Sequence, residues 1–361
     1  MILELASSFL NSGGRVGQRI AILTGGGDAP GLNAAIRAIG RRALAAGDTL
    51  FGIRNGWAGM IGDGDVMTLE RSRLSGILQL GGTMLGSSRV NPMKLEHGVE
   101  EVLRNIDRLK LDALVAIGGD DTLSVAARLA EQHARVVGVP KTMDNDLSIT
   151  EYCIGFDSAV SVVTEALDRL HTTATSHHRV MVCEVMGRDT GWVAVMGGLA
   201  GGADMIIIPE FSVTVDEVVA HLEVRRKAGS DFSILVVAEG VEMAGLQSKD
   251  EAEGTRDAFG HVQLSRRGVG ENLARIIEER TGHETRATVL GHVQRGGSPT
   301  AYDRIWATRV GAKAYDLVVE GLFGEMPVVT NGTVDVASIA DVVAEQRRVP
   351  RELYELAQVF Y

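Results

Sequence analysis

Short apolar runs recur along the chain, each closed by a loop bearing glycine or aspartate and most followed by a segment of helical period. RIAILT (19–24) reads as a buried strand and runs into GGGDAPGLN, then an apolar-periodic helix from about Ala34 to Ala46. ALVAI (113–117) repeats the arrangement, with GGDDT at the switch and a helix through Ala130, and VVGV (136–139) leads into PKTMDND (140–146). VMVCEV (180–185), MIII (205–208), SILVVA (233–238) and ATVLG (287–291) continue it. Such alternation predicts an α/β fold with largely parallel sheets and right-handed crossovers. Ligands in such sheets sit beyond the carboxyl ends of the strands. The loops to examine are therefore 25–31, 118–122, 140–146, 184–188, 238–240 and 291–297.

Length and charge narrow the field. With 361 residues, and domains of about 100–200 residues each, two domains are expected. Net charge is −11 and no long Lys/Arg block appears, so there is no footprint for nucleic acid. No stretch approaches the ~18 consecutive apolar residues of a membrane span. Cys153 and Cys183 stand 30 residues apart with no CxxC pattern, which predicts core thiols and a reducing, cytoplasmic setting. Residues 1–18 read as a frayed extension or a mis-assigned start, and QSKDEAEGTRD (247–257) as a surface loop or insertion.

Each strand-end loop has a chemical reading beside a plain one. GGGDAP (25–30) offers backbone amides at a helix entrance, where a phosphate is favoured, but a tight turn is equally open. Asp120 in GGDDT is a hard oxygen ligand suited to Mg²⁺, or a helix cap. TMDND (142–146) supplies a carboxylate to take a hydroxyl proton, or an Asx-rich turn. Arg179, Arg188, Arg286 and Arg295 stand at strand starts or ends, where guanidinium forks suit phosphate oxygens. His177 and His178 are adjacent, a poor geometry for one metal ion, whereas His292 is placed as a hydrogen-bonding group.

Taken together, GGGDAPGLN, GGTMLGSSR (81–89), GGDDT, PKTMDND, SHHRVMVCEVMGR (176–188), AEG and TRATVLGHVQRGG (285–297) resemble the phosphofructokinase family from about Arg19 to Arg309. The resemblance implies two Rossmann-like α/β domains with the active site in the cleft between them. One, residues 1–155 with roughly 294–344, would hold the phosphoryl donor and Mg²⁺; the other, 156–293, would hold a sugar phosphate. Gly26 and Arg89 would contact the donor and Asp120 would coordinate Mg²⁺. Asp144 would be the general base on the 1-hydroxyl of fructose 6-phosphate, with Thr142 and Asp146 beside it and Arg188 steadying the transferring phosphoryl. Met186, Gly187, Glu239, His292 and Arg295 would hold the sugar phosphate, and Arg179 and Arg286 would reach across from a neighbouring subunit of a homodimer or homotetramer.

Two residues bear on the donor. ATP-dependent members of the family usually carry glycine at the position of Lys141 and commonly at that of Asp121, so Asp121 with Lys141 is the pattern of its pyrophosphate-dependent members. A carboxylate at 121 would repel the α-phosphate region of a nucleotide, and an ammonium at 141 would fill that space and neutralise pyrophosphate. Following consecutive strands, the two side chains are expected to share a pocket. The alternatives are an ATP-dependent 6-phosphofructokinase, a kinase of sedoheptulose 7-phosphate and, more remotely, a non-catalytic sugar-phosphate sensor.

Overall fold

Strands β1 (Arg19–Thr24), β2 (Thr49–Ile53), β3 (Val66–Thr68), β4 (Ala113–Gly118) and β5 (Val136–Pro140) form one sheet in the order β3-β2-β1-β4-β5. The structure is a computed structural model that describes residues 16–244, 246 and 268–359. All pairs in this sheet are parallel except β2 with β3. Along β1, Ile20 and Ile22 enter one core while Ala21 and Leu23 enter another, so both faces are covered, as a parallel sheet requires. Helices α1 (Leu32–Ala45) and α2 (Gly98–Arg108) follow, and α3 (Asp120–Glu131) starts directly after β4.

Helix α4 (Phe156–His177) carries the chain to a second sheet. There β6 (Val180–Val185), β7 (Met205–Ile207), β8 (Ser233–Ala238) and β9 (Thr285–Val289) lie parallel in the order β7-β8-β6-β9. Helices α5 (Trp192–Ala200), α6 (Val215–Lys227) and α7 (Val269–Thr281) accompany them. Then α8 (Ala301–Glu320) returns to pack on α1, and one continuous core runs from that face of the first sheet through α4 into the second. The hairpin β10 (Glu325–Thr330) with β11 (Thr333–Ser338), helix α9 (Ile339–Ala344) and helix α10 (Arg351–Gln358) complete the chain.

A buried carboxylate pins the joint. Asp303, wholly buried in the first turn of α8, accepts from the Gly155 amide (2.7 Å), the Ser158 amide (2.8 Å) and hydroxyl (2.6 Å), and the Tyr152 hydroxyl. It ties the helix that leaves the second sheet to the start of the helix that enters it.

The sequence reading needs three adjustments here. β9 lies two residues earlier than ATVLG, because Leu290 takes helical angles and Gly291 has φ +46°, ending the extended chain. Strands β2, β3, β10 and β11 were not anticipated. Of the expected frayed segment, Gln18 is anchored, donating its amide to Asp48 (2.8 Å) and accepting from the Thr49 amide (2.8 Å); residues 1–15 and the predicted insertion 247–257 lie outside the described residues.

Candidate active site

After β1 the chain turns through Gly25, Gly26 and Gly27 towards α1. Gly26 has φ +75°, a region open to glycine and strained for other residues. The amides of this turn are less available than its sequence suggests. Gly25 donates to the Ile117 carbonyl (3.0 Å) and Gly26 to that of Ser88 (3.1 Å), so charge for an anion here has to come largely from side chains. The side chain of Lys141, the residue after β5, meets this turn. It is buried, and Nζ donates to the carbonyls of Gly25 (3.0 Å) and Gly27 (2.6 Å). That commits two of the three ammonium donors. Burial, and then the neighbouring Arg295, bring Lys141 down to about 8, against the pull of Asp28 and Asp144.

Arg295 reaches the same turn from the far side, donating from Nη1 to the Asp28 carbonyl (3.1 Å). A cavity of about 440 Å³ opens here, walled by Gly26, Gly27 and Asp28, by Ser87, Ser88 and Arg89, and by His292 and Arg295. His292 and Arg295, read from the sequence as sugar-phosphate ligands, thus share a wall with the residues expected to hold the donor. Asp120 is exposed and Asp121 half-buried in the first turn of α3. Asp121 is not among the main groups that set the charge on Lys141, which are Arg295, Asp28, Asp144 and Cys153.

In the loop after Lys141, the Asp144 amide donates to Thr142 Oγ1 (3.2 Å). Asn145, at φ +52°, donates to the Glu151 carbonyl (3.1 Å) and accepts from the Cys153 amide (2.8 Å), fixing the reversal between the two aspartates. Asp144 is raised to about 6, first by burial and then by Asp146, while Arg295 and Arg188 act the other way. Glu239, at the end of β8, is raised to about 7 by burial and then by Asp144. Two carboxylates with raised pKa values thus share the fields of two guanidiniums.

The loops after β6, β8 and β9 are locked together. The Met186 amide donates to Gln294 Oε1 (3.3 Å), and the buried Gln294 donates to the Gly291 carbonyl (3.0 Å). The Gly240 amide donates to the Gly187 carbonyl (3.0 Å), and a Cβ at Gly240 would overlap the Arg188 carbonyl. The charge of Arg188, next along this loop, acts on both Asp144 and Glu239, favouring their ionised forms.

Arg179 and Arg286 lie elsewhere. Both stand at the amino ends of β6 and β9, bound to the same carboxylate, Glu284, at 2.7 Å each, and Arg286 also meets Glu278 at 3.2 Å. Six residues of β6 at about 3.3 Å each put them some 20 Å from the loops at its other end. Neither lies among the loops at the carboxyl ends of these strands.

Several site residues escaped sequence reasoning. Gln294, Ser87 and Ser88 sat inside quoted motifs without being singled out, and Asp28 followed the glycines; Gln346, which donates to the Asp146 carboxylate (2.8 Å), carried no local signal at all. Among the described residues no three or more His, Cys, Asp or Glu side chains converge as a metal cluster, and no helix is long and apolar enough to cross a membrane.

Residues 19–318 match the profile of the family described as phosphofructokinase. The chain belongs to that family. It is 51% identical over 345 residues to the pyrophosphate--fructose 6-phosphate 1-phosphotransferase of Amycolatopsis mediterranei, covering 95% of this chain and 99% of that one. It is 46% identical over 342 residues to ATP-dependent 6-phosphofructokinase 3 of Streptomyces coelicolor, covering 94% and 99%. Among solved structures, the phosphofructokinase of Pichia pastoris in its T-state superposes with a TM-score of 0.79 at 29% identity, covering 96% of this chain. This chain spans 39% of the Pichia one. As a phosphofructokinase it has two largely parallel sheets, as the family's motifs imply.

Proposed function

We propose that this phosphofructokinase transfers a phosphoryl group reversibly from pyrophosphate to the 1-hydroxyl of fructose 6-phosphate, giving fructose 1,6-bisphosphate and phosphate. The observation that carries the donor assignment is Lys141, a buried cation bonded to the carbonyls of Gly25 and Gly27. Two donors hold it there, and in this reading the third serves the donor's phosphate. A small polyanion has no base or ribose to bind, so a fixed charge is the main source of its affinity. The Amycolatopsis relative carries the pyrophosphate name, and the ATP-named Streptomyces relative at 46% identity makes the donor the point to test.

In this reading Asp144 takes the proton of the 1-hydroxyl as its oxygen bonds to phosphorus and the phosphoanhydride bond breaks, the electron pair leaving on phosphate. Phosphoryl transfer depends mostly on positioning and on cations facing the developing charge, and Arg188, on the locked loop beside Asp144, has that task. Thr142 aligns the base through its bond to the Asp144 amide. Met186, Gly187, Glu239, His292, Arg295 and Asp146 hold the sugar phosphate; Gly26 and Arg89 face the donor, and Asp121 discourages a nucleotide. Asp120 fits Mg²⁺, which characteristically takes one or two protein carboxylates and fills the rest of its shell with phosphate and water oxygens. When bound, Mg²⁺ neutralises charge on pyrophosphate.

The donor domain comprises residues 1–155 with 294–344, and the sugar-phosphate domain 156–293. Arg179 and Arg286, displaced to the far end of the second sheet, reach the sugar phosphate of a neighbouring subunit, which makes the enzyme a homodimer or homotetramer. Free, buried Cys153 and Cys183 accord with a reducing cytoplasm.

Lys141→Gly tests the assignment. The variant should lose pyrophosphate-dependent turnover and gain ground with ATP. Full retention of pyrophosphate use with no gain for ATP overturns the charge argument.

A further inference from the structure

Between α9 and α10 the chain forms a strap, Gln346–Val349, that lies beyond the 19–318 span of the family profile and yet holds the loop carrying Asp144 and Asp146. Leu147 and Gln346 form an antiparallel bridge. The Arg347 amide donates to the Asp146 carbonyl (2.7 Å), and Arg347 Nε to the Asn145 carbonyl (3.2 Å). Gln346 Nε2 donates to the Asp146 carboxylate (2.8 Å). The strap's other side grips the start of α5, just past Arg188. Trp192 Nε1 donates to the Arg347 carbonyl (2.9 Å), and the Arg347 guanidinium lies 4.1 Å from the centroid of the Trp192 ring. Glu210 accepts from both the Val349 amide (3.1 Å) and the Gly191 amide (3.0 Å).

One segment thus ties the loop of the base to the segment that follows Arg188. Backbone bonds alone would suffice to close a surface over that point. The exposed Gln346 amide on a carboxylate next to the base does something more specific, because it fixes where a negative charge sits relative to Asp144.

We infer that Gln346 and Arg347 are positioning residues for phosphoryl transfer, acting through the Asp146 carboxylate and the Asn145 carbonyl to hold Asp144 in place. The inference rests on the phosphotransferase reading above. Asp144 is faced by the anions Asp146, Asp189 and Glu239 and by the cations Arg188, Arg295 and Lys141. A carboxylate in place of the Gln346 amide adds to the anionic side and opposes loss of the proton from Asp144.

Three substitutions, two of them also combined, and two readouts test this. Gln346→Ala should lower kcat about tenfold while KM for fructose 6-phosphate changes less than about twofold, since alignment rather than binding is lost. Gln346→Glu should move the acid limb of the kcat profile upward by about half a pH unit. In an Asp146→Ala background, Gln346→Ala should have no further effect, because the contact it removes is already gone. Hydrogen exchange of the 142–150 peptide, measured without substrate, should quicken in Gln346→Ala. Unchanged exchange, unchanged kcat and an unmoved acid limb in the folded variants overturn the proposal, as do Gln346→Ala and Asp146→Ala effects that simply multiply. A wild-type enzyme inactive with every donor overturns the phosphotransferase reading instead, and the exchange experiment then still decides whether the strap holds the loop.

Discussion

Replacing Lys141 with methionine removes the charge and keeps an unbranched side chain of similar volume. Two effects compete in the folded protein. Burial lowers Lys141 from 10.5 to about 8, which at 1.36 kcal/mol per pH unit is about 3 kcal/mol held against the charged form at neutral pH. Methionine relieves that, but leaves the Gly25 and Gly27 carbonyls without their partner, at about 1–3 kcal/mol each. The terms largely offset, so stability falls by at most about 3 kcal/mol and the variant stays folded. Nothing offsets the loss at the donor. A hydrogen bond to a charged group is worth about 1.5–3 kcal/mol, so kcat/KM for pyrophosphate should fall about ten- to a hundredfold, with KM for fructose 6-phosphate unchanged. Initial rates of fructose 1,6-bisphosphate formation at saturating sugar phosphate measure it. The wild type adds an internal check, because Lys141 loses its proton as pH rises through about 8, so KM for pyrophosphate should climb above that pH and the variant should lack that rise. A folded Lys141→Met enzyme with kcat/KM for pyrophosphate within twofold of wild type refutes the reasoning.

Asp144→Asn should cut turnover by about 10²–10⁴ while fructose 6-phosphate still binds, as calorimetry would report. Because the folded-state pKa of Asp144 is raised to about 6, the native state holds its proton more tightly than the unfolded chain, and the penalty for ionising it is complete at neutral pH. The same variant should therefore be more stable to denaturant at pH 7, by about 1–2 kcal/mol once solvent screening is discounted, an advantage that vanishes below about pH 4. In the wild type, kcat/KM should fall as pH drops through about 6, as this base becomes protonated. Gly240→Ala drives a methyl into the Arg188 carbonyl; since that atom is backbone, the loop has to move, and kcat should fall at least tenfold with a loss of about 1–3 kcal/mol in chemical denaturation. Asp303→Ala leaves four buried donors without an acceptor and should cost about 3–5 kcal/mol in chemical denaturation.

Strands β1, β4, β5, β6 and β8 were legible because they are buried almost throughout and read as near-continuous apolar runs; VMVCEV and SILVVA match β6 and β8 residue for residue. β3 was not, being three residues long and half-exposed, and in β2 Gly52 interrupts the apolar run. The β10–β11 hairpin had a usable signal that went unread: Asn331 and Gly332 both take positive φ between paired Thr330 and Thr333, the turn that an Asn-Gly step favours. Lys141 and Asp144 were legible as residue types after a strand, but not their contacts. Periodicity and spacing say nothing of an ammonium folded back on glycine carbonyls 114 and 116 residues away. Nor do they foretell Gln346, which meets Asp146 across 200 residues of chain. The glycine turn misled in the other direction, since its amides looked open and two of them are used by neighbouring backbone.

The most direct measurement gives the purified enzyme fructose 6-phosphate and Mg²⁺ with either pyrophosphate or ATP, and follows fructose 1,6-bisphosphate. Turnover with pyrophosphate, little or none with ATP, and a reverse reaction fed by orthophosphate is the predicted result. Turnover with ATP and none with pyrophosphate contradicts it, because a nucleotide would then be accommodated past the very charge that Lys141 places at the donor turn.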